Sequence, residues 1–136
     1  MTQEETIEGN KLIAEFMGAV TPKTAPGIIL PYIKNDEVWF GDGTTPNGQY
    51  GSAFKISDLK YHSSWDWLMP VVEKIESLPL INDAGICVLI EHSYCRIYLD
   101  NWGEYTTVAE NATKKNKLSA VYLSVIEFIK WYNQNK

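Results

Sequence analysis

The chain has few of the residues that build reactive or stapled centres. Its 136 residues include only two cysteines, Cys87 and Cys95, and two histidines, His62 and His92. The run Cys87-x4-His92-x2-Cys95 does not have zinc spacing, and no Cys-x2-Cys or His pair completes a ligand set. A chain of this length buries roughly two-thirds of its unfolded surface, so it needs neither disulfide nor metal to fold. Long apolar runs are also missing. None reaches the ~18 residues of a membrane span. The start, Met1-Thr2-Gln3-Glu4-Glu5, is acidic and lacks the basic, apolar character of a signal peptide, which makes the cytoplasm the expected location. Positive charge is in deficit, with 12 Lys and Arg against 17 Asp and Glu. That argues against nucleic-acid backbones and anionic membranes, both of which demand clustered cations. Gly41-Asp42-Gly43 with Asn47-Gly48 lacks phosphate-loop spacing, and Asp36, Glu37 and Asp42 do not follow a calcium-loop pattern. No cofactor and no metal is expected.

What the chain does have is clear periodicity and five tryptophans. Thr2 and Glu5 fit a capping box, and Ile13, Phe16 and Met17 cluster at helical spacing. Gly18 stands where a helix-ending glycine belongs, so 2–17 reads as a helix. Residues 28–33 and Val38-Trp39-Phe40 read as a hairpin about Asn35-Asp36, and Gly41 to Gly51 as a loop. Ser63 or Ser64 suits an N-cap for a second helix on which Trp65, Leu68, Val72 and Ile75 form the apolar stripe. Pro70 removes a hydrogen bond from its second turn.

Gly85 to Asp100 gives the strongest strand signal. A tight turn at His92-Ser93 pairs Glu91 with Tyr94, Ile90 with Cys95 and Val88 with Ile97. One face is then wholly apolar: Ile86, Val88, Ile90, Cys95, Ile97 and Leu99. The other is mixed: Cys87, Leu89, Glu91, Tyr94, Arg96 and Tyr98. A one-residue slip would scramble this sorting, so the register is specified. The two cysteines fall on opposite faces and can share neither a disulfide nor a metal. Asp100-Asn101-Trp102-Gly103 reads as a turn, Tyr105 to Val108 as a third strand, and Thr113 to Tyr132 as a long helix. The expected fold is a single α+β domain over 1–136. It holds an antiparallel sheet of four to five strands with three helices, in the order α-β-β-α-β-β-β-α, layered as an α/β/α sandwich.

Three segments carry a resemblance: Asn10 to Gly18, Tyr61 to Glu76, and Ala120-Val121-Tyr122 with Val125 to Asn133. The most specific is Trp65-Asp66-Trp67-Leu68-Met69-Pro70. Together they resemble uncharacterised small proteins encoded by bacteria, phages and prophages, and are similar in arrangement to the phage ABA sandwich domain. The resemblance spans about half the residues and leaves Val20 to Leu59 unmatched. It implies an accessory product of mobile elements and brings no activity, cofactor or catalytic residue.

Two kinds of site emerge. Tyr61-His62-Ser63-Ser64-Trp65-Asp66 could place His62 as a general base oriented by Asp66, making a small hydrolase. An ordinary helix start explains the same six residues without chemistry, and it is the preferred reading. The other site is an interaction surface drawn from Trp67, Trp102, Trp131, Tyr94, Arg96 and Tyr98. Trp67 and Trp131 point away from their helices' main stripes and need a second core layer or a partner. Arg96 between Tyr94 and Tyr98 is the best place for single-strand nucleic acid to stack, but the acidity of the chain weighs against it. The leading expectation is a non-enzymatic protein that contacts an unidentified protein partner. Homodimerisation through the hairpin edge or a helix surface is compatible with the sequence.

Overall fold

The structure, a computed structural model, describes residues 1–20, 36–40, 52–79 and 81–135. They fall into two compact units, Met1–Lys60 and Tyr61–Lys136. The element order among the described residues roughly matches the expected one, with the second strand at Ser52–Lys55. Among the described residues the strands form two antiparallel sheets, of two and three strands, where one sheet was expected. The strand expected over 28–33 and the loop over 41–51 lie outside the described residues.

In the first unit α1 spans Gln3–Phe16. Thr2 caps it by accepting the Glu5 backbone N–H at 3.1 Å, and Gly18 adopts a φ of 98° just past its end. Asn10 is buried on the inner face and donates from Nδ2 to the Leu59 carbonyl at 3.1 Å. That bond ties α1 to the 3₁₀ turn at Ile56–Asp58. Strand β1, Glu37–Phe40, pairs with β2, Ser52–Lys55, in the register Val38 to Phe54. On its other side Trp39 exchanges two backbone hydrogen bonds of 2.9 Å with Val20. Val38 and Phe40 are fully buried, as the alternation of a one-sided strand requires.

The second unit holds α2 (Trp65–Glu76), β3 (Gly85–Glu91), β4 (Tyr94–Asn101), β5 (Glu104–Ala112) and α3 (Lys117–Asn135). The β3–β4 register is the one read from the sequence, from Glu91 with Tyr94 to Gly85 with Asp100. Strand β5 pairs with β4 through a bulge beside Ile97 and Tyr98. It runs longer than expected at both ends. Helix α3 starts later than expected, for two local reasons. The Thr113 N–H is held by the Ser93 carbonyl at 2.9 Å, and the Asn116 side chain accepts the Ser119 N–H at 2.8 Å as an N-cap.

Helix α3 lies against β4 and β5, and α2 against β3 and α3. Cys95 and Ile97 beneath them are fully buried, as are Leu68, Val71, Ile75, Val121, Val125, Phe128 and Ile129. Each such aliphatic side chain contributes roughly 2 kcal/mol by leaving water. Ser124, also buried, donates to the Cys95 carbonyl at 3.1 Å and accepts from Asn111 Nδ2 at 3.0 Å. Trp65, expected on the core stripe, is 36% exposed; it is the first residue of α2, and Val71 takes the inward place. Ser64 is the N-cap by position, but its side chain makes no capping bond.

Neither α2 nor α3 of this unit lies on the mixed face of the sheet. Leu89, Glu91, Tyr105, Thr107 and Glu110 are exposed there. Within the second unit the helices lie on one face of the sheet. The open face hydrogen-bonds to itself across the strands, which lets it stand in water.

Candidate interaction surface

The open face is built by the alternation of β4 and the register of β5. Residues Tyr94, Arg96, Tyr98 and Asp100 project to one side because the side-chain period of a strand is two. Opposite them stand Ala112, Glu110, Thr107 and Tyr105. The Tyr94 hydroxyl donates to Glu110 Oε2 at 2.7 Å, and Arg96 Nε donates to Thr107 Oγ1 at 2.8 Å. The Arg96 guanidinium carbon sits 4.7 Å from the centre of the Tyr98 ring, a cation–π distance. The Tyr98 ring in turn meets Tyr105 edge to face, with centroids 5.4 Å apart. The Glu110 carboxylate that accepts its proton pushes the Tyr94 hydroxyl above its ordinary pKa, and burial does the same at Tyr98.

This face continues into the β4–β5 hairpin tip. Every residue from Asn101 to Thr107 is exposed, those on both faces alike, so the tip projects past the helix layer. Trp102 at its end is 92% exposed and Tyr105 is 59% exposed. Trp102 has a φ of 54° and Gly103 of 91°. Two successive positive φ values between paired Asn101 and Glu104 define a type I′ turn. Asp100 Oδ1 braces it by accepting the Gly103 N–H at 3.0 Å.

A second pair in the same unit has the same backbone. Asn82 and Asp83, between bridged Ile81 and Ala84, have φ values of 51° and 67°. Asn and Asp tolerate the left-handed region, because their short polar side chains bond locally. A tryptophan there is an outlier, and such a conformation costs on the order of 1 kcal/mol. The chain thus keeps its largest apolar side chain in water, at a strained position that common turn residues fill more easily.

The structure brings Tyr94, Arg96 and Tyr98 together and places Trp102 on the same hairpin. It does not bring Trp67 and Trp131 to them. Those two lie on the helices, half-buried. Trp67 meets the buried Tyr61 ring edge to face at 5.2 Å, and Trp131 tilts against Phe128 at 5.8 Å. They supply the second core layer. Tyr105 is the residue that sequence reading missed; its pairing with Asp100 follows from the two-residue turn at Trp102-Gly103, whose flanking register the sequence reading did not assign.

His62 and Asp66 are both exposed, with the His62 ring 6.2 Å from Tyr122. That setting offers neither a dry cleft nor the burial that tunes a general base. His92 is exposed at the β3–β4 turn with a φ of 48°. Cys87 is half-buried and Cys95 fully buried, on opposite faces. Burial pushes the Cys95 thiol up to about 11. Among the described residues no group of acidic, histidine and cysteine side chains could hold a metal, and no helix is long and apolar enough to cross a membrane.

For base stacking, the open face has rings but no cation to spare. Arg96 is engaged by Tyr98 and Thr107, and its charged neighbours Glu91, Asp100 and Glu110 repel phosphates. No protein-family model, curated protein or solved structure matches the chain.

Proposed function

We propose that the protein is a non-enzymatic accessory protein of the kind that phages and other mobile elements encode. It acts in the cytoplasm through contacts with another protein, made by the open face of the β3–β5 sheet and its projecting hairpin. One observation carries this reading: Trp102, 92% exposed, stands at the end of a face that already presents Tyr94, Arg96, Tyr98 and Tyr105. Exposed aromatics and an arginine in one patch are the composition of binding hot spots. The phage-associated resemblance of the Trp65–Pro70 segment supplies the biological setting.

The test is affinity capture from a phage-carrying bacterial host, with cross-linking and mass spectrometry, using the wild type and a Tyr98→Ala/Tyr105→Ala double variant. A partner present with the wild type and depleted with the variant is expected, with the variant's circular dichroism unchanged. The reading fails if both chains capture the same proteins, or if His62→Ala abolishes capture while the double variant does not.

A further inference from the structure

We propose that the β4–β5 hairpin tip docks a basic protein segment, with Trp102 as the side chain the partner encloses. The inference rests on the contact-surface reading above and specifies the partner's chemistry. Two independent features of the tip point the same way.

The first is the misfit of Trp102 with its turn. A type I′ turn is readily made by Asn, Asp or Gly, as Asn82-Asp83 does in the same unit. At Trp102 the backbone preference and the preference for burial are both violated, and no ring contact within the chain compensates among the described residues. Positions that break local rules in this way are where function is found. The turn fixes the backbone from which the indole projects, so the ring is presented to an apolar pocket without ordering the loop that carries it.

The second feature is charge. From Tyr98 to Thr107 the hairpin carries Asp100 and Glu104 and no Lys or Arg, while Glu91 and Glu110 lie toward the other end of the sheet. Arg96 stands back from the tip against Tyr98 and Thr107, so a molecule approaching Trp102 meets the Glu104 carboxylate and that of Asp100, braced by the Gly103 N–H. The lysines Lys114, Lys115 and Lys117 follow β5 at the opposite end of the sheet, where Thr113 bonds Ser93. A second copy presenting the same face would bring like charges together, and an anionic membrane or nucleic acid would be repelled. A segment with Lys or Arg flanking an apolar pocket fits both features. Its cations reach Glu104 and the exposed Tyr105 ring while Trp102 is covered.

The experiment is a random-peptide display selection against the full chain, with counter-selection against Trp102→Asn. Enriched peptides should combine Lys or Arg with at least one apolar residue. Measured by calorimetry, they should bind Trp102→Asn at least about tenfold more weakly than wild type, the scale of a single hot spot. Glu104→Gln should weaken them less, and added salt should weaken them further. An empty selection overturns the proposal, as do neutral or acidic peptides or equal binding to both chains. Sedimentation with phosphatidylcholine vesicles that requires Trp102 would make the tip a membrane anchor instead. Self-association that requires Trp102 would make the partner a second copy. If host capture depends on Tyr98 and Tyr105 but is unchanged in Trp102→Asn, the contact-surface reading stands and this one falls.

Discussion

The same three strands live in two environments. Under α2 and α3 the sheet is a packed interior, where Cys95 and Ile97 are fully enclosed and even the polar Ser124 and Asn111 bond to each other. At the Trp102 end it is a bare ribbon with water on both faces. The difference shows in the helix-side residues, Cys95, Ile97 and Ala109 in the packed part against Asn101, Glu104 and Thr106 at the tip. It comes from where α2 and α3 reach. A tryptophan plays a different part in each environment: on the helices the half-buried Trp67 and Trp131 complete a core, while at the tip Trp102 completes nothing within the described chain.

The sharpest way to break the comparison is to exchange a residue for alanine on each side of one strand. Ile97→Ala should lose about 3 kcal/mol of stability, since it removes a fully buried side chain and leaves a cavity. Arg96→Ala, its neighbour facing the other way, should lose less than about 1 kcal/mol, because its partners are exposed. Urea unfolding of both variants measures this. Equal losses would mean that the open face is as tightly packed as the covered one.

The next effect is pH-dependent. In the unfolded chain Cys95 has the ordinary value of 9.0, and burial raises it to about 11 in the folded one. A raised folded value means that the neutral thiol is favoured by folding. Its contribution is complete below pH 9 and disappears as pH climbs to about 11, at no more than about 1.4 kcal/mol per pH unit. Urea midpoints for the wild type should fall faster over that window than those for Cys95→Val. Iodoacetamide at pH 8 should label Cys87 in the folded protein and reach Cys95 only after unfolding.

Ser124→Ala follows, at about 1–2 kcal/mol. It removes a buried hydroxyl that bonds the Cys95 carbonyl at 3.1 Å and Asn111 at 3.0 Å, and leaves those groups less well satisfied. Thermal unfolding checks it. A loss under about 0.3 kcal/mol would mean that Glu127, which also accepts from Asn111 at 2.7 Å, satisfies the network alone.

How much of this was legible beforehand depends on the range of the forces. The β3–β4 register follows from neighbours two residues apart, and the sequence specifies it fully, including the separation of Cys87 from Cys95. The start of α3 was missed because Thr113 is held by Ser93, a residue remote in the chain. The single sheet was expected because strand periodicity does not reveal which strands pair. The turn at Trp102-Gly103 was legible as a turn, and Trp102 as a candidate for an exposed surface; whether Trp67 and Trp131 would join it or be half-buried was not. The polar residues at the helix-side positions of the tip, Asn101, Glu104 and Thr106, mark where the helix layer ends, and they are recognised as such only once the β4–β5 register is known.

The smallest effect bears most directly on the two environments. Trp102 and Asn82 occupy the same left-handed region, with φ of 54° and 51°, in turns of the same type. If Trp102 makes no contact that stabilises the fold, Trp102→Asn should relieve backbone strain at no cost in packing. Stability should then rise by about 0.5–1 kcal/mol, a sign opposite to nearly every other substitution of a large aromatic. Asn82→Trp is the reciprocal change and should lower stability by a similar amount. A Trp102→Asn variant that unfolds at lower denaturant would show that the indole packs against its own chain, and the tip would then belong with the covered half of the sheet. A stabilised variant that has lost its partner would instead show that the chain gives up stability at this position for binding.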